Sequence, residues 1–313
     1  FLTWPPTAAL PLLPTTTSAS IFATMRRHTP VRDLPFRYVN ELHATNDKSH
    51  MILDDPGRDD VWTVYGGKAF DLWTPETGEY YAWADPDYIR THLQAKRLNQ
   101  ARISSSVMSR MPQEWVEDPA TLPVLHPRLA FRDVTNRTNT RTLIACLVPG
   151  LHPLTNKAPY LLRLPEATTL DEAYLLGVLS SLPMDWQMRR TVELNVNLNI
   201  LEPAGVPWPE RTHPGRVLIA EAAARLAAPD DRFAAWADDA GVAVGSVRTD
   251  EDRDELIAMI DAAVARLYGL DRSDVEHVFE TFHTGWDPSD RERRLVAVLA
   301  HLEGFTWDPA PTL

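Results

Sequence analysis

The stretch PRLAFRDVTNRTNTRTLIACLVP, from Pro127 to Pro149, decides how we interpret the fold. One acid, Asp133, stands among four arginines, and an apolar run from Leu143 to Val148 follows. A donor-rich loop that leads into a buried strand holds polar side chains toward a ligand, and arginine and amide groups suit phosphates and base edges. The alternative is a solvated turn before a core strand, and on residue chemistry alone we favour it. The polar residues are Arg128, Arg132, Thr135, Asn136, Arg137, Thr138, Asn139, Thr140, Arg141 and Thr142.

Length and composition are those of a soluble globular protein. The 313 residues are 44% apolar and 24% charged, enough for one large domain or two ordinary ones. No apolar run approaches the ~20 residues that span a bilayer, and the first residues lack the basic region of a signal peptide. We therefore expect a cytoplasmic protein in which the one cysteine, Cys146, is a small buried hydrophobe. The chain begins with Phe1 rather than Met, which predicts a fragment of something longer.

The net charge of -12 is unevenly distributed. Residues 1–200 carry 20 Lys and Arg against 21 Asp and Glu, whereas residues 201–313 carry 11 against 22. Residues 86–141 hold nine basic and five acidic residues. A nearly neutral body with a basic segment can approach phosphates, and an acidic last third is poorly suited to that.

The first two thirds of the chain predict a mixture of strands and helices. Asp85 and Pro86 are typical of the start of a helix, and residues 104–126 look like a polar surface loop. The strict alternation of LNVNLNI, with three asparagines on one face, predicts a further strand. The predicted strands are 36–42, 61–65, 69–73, 143–148 and 194–200, and the predicted helices are 86–102, 171–182 and 183–194.

The last third predicts helices alone. Gly269 is typical of a helix C-terminus, and Ser273 with Glu276 has the spacing of a capping box. We therefore expect an α+β fold with two domains. Residues 1–210 are expected to form a mixed β-rich and α domain, and residues 211–313 a small helical domain.

Two other groups of residues have a possible chemical role. The aromatic residues between Trp62 and Trp83, next to Lys68, suit base stacking, although we favour a role in the core. Glu41, His43 and Asp47 suggest a metal site or an acid–base pair, but the sequence offers no further ligand at usable spacing. Gly-rich phosphate loops, GxSxG, HExxH, CxxC pairs and S-adenosylmethionine motifs are absent. The sequence therefore contains no complete set of catalytic residues.

Several segments together resemble a known family. They are ELHATND, VYGGKAFDLWTPETGEYYAWADP, AFRDVTNRTNTRTLIACLVP, YLLGVLSSLPMDWQMRR, AARLAAPDDRF and DAAVARLYGL. Residues 1 to about 305 resemble the C-terminal, target-recognition region of large adenine-specific DNA methyltransferases of restriction–modification and phage-defence systems. In that family an N-terminal half, missing here, binds S-adenosylmethionine and carries the Asn-Pro-Pro-aromatic motif. The resemblance implies that this region holds duplex DNA while the catalytic half flips out an adenine.

The resemblance also implies which residues contact DNA. Arginines are expected at phosphates or guanine edges, and asparagines at bases. The implied partners are duplex DNA, the chain's own N-terminal methyltransferase domain and other defence subunits, with no membrane, no metal and no catalytic residue in this chain. Two alternatives stay open: a protein-interaction module of a defence complex, and a hydrolase built around Glu41, His43 and Asp47. The candidate DNA-binding residues are Arg128, Arg132, Asn136, Arg137, Asn139, Arg141 and Thr142, followed by Lys68, Arg97 and Asn199.

Overall fold

The computed structural model describes residues 11–136, 138–192, 194–282 and 285–313. Helices alternate with short antiparallel sheets, so the expected α+β class is confirmed. Within these residues no helix is both long enough and apolar enough to cross a membrane.

The helices and strands follow the chain in this order. The α-helices are α1 (Thr16–Arg26), α2 (Pro86–Ala101), α3 (Gln113–Glu117), α4 (Thr169–Ser180), α5 (Leu182–Arg189), α6 (Leu198–Leu201), α7 (Pro214–Ala227), α8 (Ala234–Ala240), α9 (Asp250–Leu267), α10 (Arg272–Glu280) and α11 (Pro288–Gly304). The strands are β1 (Thr29–Pro30), β2 (Phe36–Val39), β3 (Trp62–Val64), β4 (Ala82–Ala84), β5 (Arg128–Phe131), β6 (Ala145–Val148), β7 (Tyr160–Arg163) and β8 (Gly205–Val206).

The chain divides into two compact units that interleave along the sequence. The sheet unit comprises Pro35–Asp133 and Ala145–Thr168. The helical unit comprises the described residues of Phe1–Leu34, Val134–Ile144 and Thr169–Leu313. Residue 210 lies inside the helical unit, so these units are divided differently from the domains 1–210 and 211–313 expected from sequence.

The sheet unit is built on four antiparallel strands in the order β2, β7, β5, β6. Every residue of β5 and β6 is buried, as expected for strands at the centre of a core. Strands β3 and β4 pair separately, and Ile89 and Leu93 of α2 belong to the same core cluster as Val64 and Ala82. The Asp85 carboxylate accepts the Tyr88 N–H at 2.9 Å, which confirms the predicted start of α2.

The helical unit is organised around α4, which is buried over almost its whole length. Helix α4 packs on α7, α7 on α9, and α9 on α11. A Cβ on Gly177 would lie 2.6 Å from Ile219 Cγ2, so only glycine permits this approach of α4 and α7. A helix that is apolar on all sides requires neighbours on all sides, and here other helices provide them.

Segment 194–200 is not the strand that its alternation predicts. Leu194 and Leu198 are exposed while Val196 is buried, so the apolar residues do not share one face. The Asn197 side chain accepts the Ile200 N–H and begins α6, because an asparagine can satisfy a helix N-terminus locally. Asn195 of this segment makes an isolated β-bridge to Val134.

Three further local predictions were wrong. Residues 69–73 form a turn rather than a strand, with Asp71 and Thr74 hydrogen-bonded to each other. Residues 104–126 contain short helices that bury Met108, Met111 and Val116, because this segment covers the sheet core. The capping box before α10 uses Asp271 and Asp274 in place of the predicted Ser273 and Glu276.

Candidate nucleic-acid interface

The polar segment 134–142, which belongs to the helical unit, is anchored by one buried carboxylate. Asp185 of α5 is fully buried. It accepts the backbone N–H groups of Thr142 (3.0 Å) and Leu143 (2.7 Å). Its Oδ2 also lies 3.0 Å from Nε of Arg141. A buried charge is stable only with such partners, so this contact holds the C-terminal end of the segment in place.

Arg189 anchors the same segment through its carbonyl groups. Its Nη2 donates to the backbone oxygens of Asn139 (2.8 Å) and Thr140 (3.0 Å) and lies 3.8 Å from Asp185. Burial is the largest cause that lowers the pKa of Arg189, while Asp185 acts in the opposite direction. Asp185 and Arg189 therefore bind the backbone of the segment on its buried side, while Thr138, Asn139 and Thr140 remain exposed.

The candidate residues of the helical unit thus have different environments. The Arg141 side chain is 13% exposed, pairs with Asp185 and donates to the Ser180 carbonyl. Thr142 is fully buried. Asn136 is half-buried, and its side chain accepts the Thr138 N–H, as in an Asx turn. Asn199 is exposed on α6, and Arg137 lies outside the described residues.

Arg132 and Lys68 lie close together in the sheet unit. Nε of Arg132 donates to the Phe70 carbonyl at 3.0 Å, and its Nη2 lies 3.2 Å from Asp71. A Cβ on Gly67 would meet the Lys157 carbonyl at 2.8 Å and Arg132 Cγ at 3.8 Å. This close approach brings the glycine turn that precedes Lys68 against Arg132. The Lys68 side chain is 84% exposed, and its Nζ lies 3.7 Å from Glu79.

Arg128 and Arg97 are buried inside the sheet unit. Arg128 donates to Glu41 at 2.7 Å and to the His152 carbonyl at 2.6 Å. Arg97 donates to Thr121 and to the Asp118 carbonyl, which holds the end of α3 against α2. Neither guanidinium lies on the surface, so neither is placed to contact DNA. Residue chemistry alone could not make this distinction, since an arginine of the core looks the same in sequence as an arginine of a binding surface.

The residues suggested as a hydrolase site do not form a metal-ligating group. The Glu41 carboxylate accepts hydrogen bonds from the Arg128 guanidinium and from the Leu154 N–H. His43 is exposed, and its Nδ1 accepts backbone N–H groups of the same loop. Within the described part of the chain, the set of three side chains placed to hold a metal ion is Asp47, His50 and His92. His50 and His92 were not predicted as ligands from the sequence, although the Asp-x-x-His spacing of 47 and 50 was a local signal.

No protein-family profile and no curated protein matches the chain. Among solved structures it is similar to the type IIL restriction-modification enzyme MmeI in complex with DNA, with 17% sequence identity and a TM-score of 0.41. The match covers 81% of this chain and 36% of the MmeI chain, so this chain corresponds to little more than a third of that enzyme.

Proposed function

We propose that this chain is the DNA target-recognition portion of an N6-adenine DNA methyltransferase, or fused restriction–modification enzyme, of a phage-defence type. It binds duplex DNA and positions the target adenine for a methyltransferase domain outside this chain, and S-adenosylmethionine binds in that domain. The resemblance of the motif from Arg128 to Thr142 supports this proposal, as does the way in which the structure presents part of that motif.

The observation that carries the proposal is the anchored segment 134–142. Asp185 and Arg189 bind its backbone from the buried side, so its conformation does not depend on a ligand. Three of its exposed residues, Thr138, Asn139 and Thr140, carry amide or hydroxyl groups, which can both donate to and accept from base edges. Because the backbone is already ordered, binding costs less conformational entropy than a flexible loop requires. Asn139 is the exposed amide of this segment that we expect to read a base.

Lys68 and Arg132 are the proposed phosphate contacts. Exposed ion pairs such as that between Lys68 and Glu79 contribute only about 0–1 kcal/mol, so a phosphate can replace the carboxylate. Arg132 is braced by the Phe70 carbonyl and keeps 20% of its side chain exposed. A braced guanidinium loses little freedom when it binds a phosphate. These contacts supply affinity without sequence preference.

The test begins by selecting duplexes that bind the chain from a library with a randomised core. Fluorescence anisotropy then compares an enriched duplex with a scrambled duplex. We expect Asn139→Ala to lower discrimination between the two by roughly 1–3 kcal/mol, the usual cost of one lost base contact. Asn99→Ala, at an exposed position on α2, is the matched control and should leave discrimination unchanged.

The phosphate role has its own measurement. We expect Lys68→Ala to weaken binding to both duplexes equally and to reduce the slope of log K against log salt by about 0.9. The proposal fails if the selection enriches no sequence. It also fails if Asn139→Ala discriminates as well as the unsubstituted protein.

The second candidate function is a protein-interaction module of a defence complex. The charge of the helical unit favours it, since that unit carries 27 Asp and Glu against 18 Lys and Arg. Such a surface repels phosphates and suits a basic protein partner. Absence of any salt-sensitive DNA binding in the anisotropy titration would favour this function over target recognition.

A further inference from the structure

We propose that Asp47, His50 and His92 bind a divalent transition-metal ion, with Zn²⁺ as the representative ion. One ligand atom from each side chain lies within 4.8 Å of the other two. Two imidazoles and one carboxylate suit Zn²⁺, Co²⁺, Ni²⁺ or Cu²⁺ far better than Mg²⁺ or Ca²⁺. This site lies within the sheet unit and does not depend on the DNA-binding role proposed above.

One face of α2 builds the site against the loop that precedes β3. Tyr88, His92 and Lys96 recur every four residues, so their side chains share that face. Each touches a residue of the loop. The Tyr88 hydroxyl lies 2.6 Å from His50 Nδ1, His92 Nε2 lies 3.9 Å from Asp47 Oδ1, and Lys96 Nζ lies 2.9 Å from Asp47 Oδ2.

The two oxygens of the Asp47 carboxylate have different surroundings. Oδ2 accepts the His43 N–H at 2.7 Å and the Lys96 ammonium at 2.9 Å. Oδ1 faces His92. Carboxylates that bind metals are commonly oriented in this way, by hydrogen bonds to the group from outside the metal site. Lys96 also donates to the backbone carbonyl of Glu41 at 2.7 Å. This second hydrogen bond holds the Lys96 ammonium on the side of the Asp47 carboxylate that faces away from His92.

The two imidazoles are oriented in a comparable way. Their rings stack with centroids 3.9 Å apart and planes 26° from parallel. The Tyr88 contact occupies Nδ1 of His50 and leaves Nε2 as its ligand atom. His92 Nε2 is buried and has no hydrogen-bond partner in the described part of the chain. A bound metal ion would satisfy this nitrogen, which otherwise carries the cost of an unpaired buried polar atom.

A metal ion would draw the three ligand atoms closer together. Bonds of about 2.1 Å require ligand atoms roughly 1 Å closer than the separation in this structure. Side chains that are only half-buried can make this adjustment by small rotations. Three protein ligands leave a further position for water, as in open zinc sites. Binding would also tie the loop carrying Asp47 and His50 to α2, which predicts a metal-dependent rise in thermal stability.

The experiment titrates the chelator-treated full chain with Zn²⁺ by calorimetry and with Co²⁺ by visible absorption. We expect one Zn²⁺ per chain and a Co²⁺ absorption band that Zn²⁺ displaces. His50→Gln, His92→Gln and Asp47→Asn should each weaken Zn²⁺ binding more than tenfold. His126→Gln is the matched control, because His126 is an exposed imidazole of the same unit outside the cluster, and it should bind as the unsubstituted protein does.

Several results would overturn the proposal. One is a chain that binds no Zn²⁺ at millimolar concentration, and another is unchanged affinity in His50→Gln and His92→Gln. If circular dichroism shows that a variant is unfolded, X-ray absorption of the unsubstituted protein loaded with Zn²⁺ identifies the ligands of the metal ion instead. Two imidazoles and at least one oxygen ligand are then expected, and a shell without imidazole excludes the site.

Discussion

The substitution Asp185→Asn tests whether the buried ion pair supports the exposed polar segment. Asparagine keeps the shape of the side chain and one oxygen acceptor for the N–H groups of Thr142 and Leu143. It removes the negative charge and places an N–H₂ group toward Arg141, whose Nε lies 3.0 Å from Oδ2 in the folded protein. Arg189 loses the same partner. Two guanidinium groups then lack the buried carboxylate that compensates them.

The size of the effect follows from how deeply these groups are buried. Asp185 is completely inaccessible, and the side chains of Arg141 and Arg189 are 13% and 6% exposed. Removing one partner of a buried pair costs about 3–5 kcal/mol, much more than an exposed pair. Local unfolding of segment 134–142 would recover part of this free energy, because the two arginines would then be solvated. We therefore expect a lower free energy of unfolding and faster amide exchange in this segment.

Urea unfolding measures the stability, and hydrogen exchange measures the protection of the Thr142 and Leu143 amides. Asp238→Asn, at an exposed carboxylate of α8, is the control and should change stability by no more than ~0.5 kcal/mol. A loss below ~1 kcal/mol for Asp185→Asn, with exchange at both amides unchanged, would refute the idea that this carboxylate anchors the segment.

Two further substitutions test other parts of the fold. Burial raises the pKa of Asp261 to about 6, so the folded state retains a proton that the unfolded state releases, and stability falls between pH 4 and pH 6. Asp261→Asn, which keeps the acceptor for the Leu182 N–H, should therefore gain up to ~3 kcal/mol at pH 7 and nothing at pH 4. Equal gains at both pH values in urea unfolding would contradict this. Asp85→Ala removes the cap at Tyr88 N and should cost ~1 kcal/mol in thermal unfolding, whereas an unchanged melting temperature would show that the cap is dispensable.

Sequence determined the elements whose causes are local. Asp85 and Pro86 specified the start of α2, since a cap and a proline act within one turn of the helix. The apolar run after Thr142 specified β6, because uninterrupted apolar residues between polar ones require a buried position. The α+β class followed from the same local patterns. The alternation in LNVNLNI was misleading, because the Asn197 side chain satisfies the N-terminus of α6 and so favours a helix at this point.

Tertiary structure decided what the polar residues do. Arg128 and Arg141 belong to one sequence motif, yet Arg128 pairs with Glu41, 87 residues away, and Arg141 with Asp185. His50 and His92 come together because α2 packs against the preceding loop. Sequence determines which side chains can donate, accept or ionise. Only the folded chain determines their partners and their distance from water, because burial and pairing arise between residues far apart in the chain.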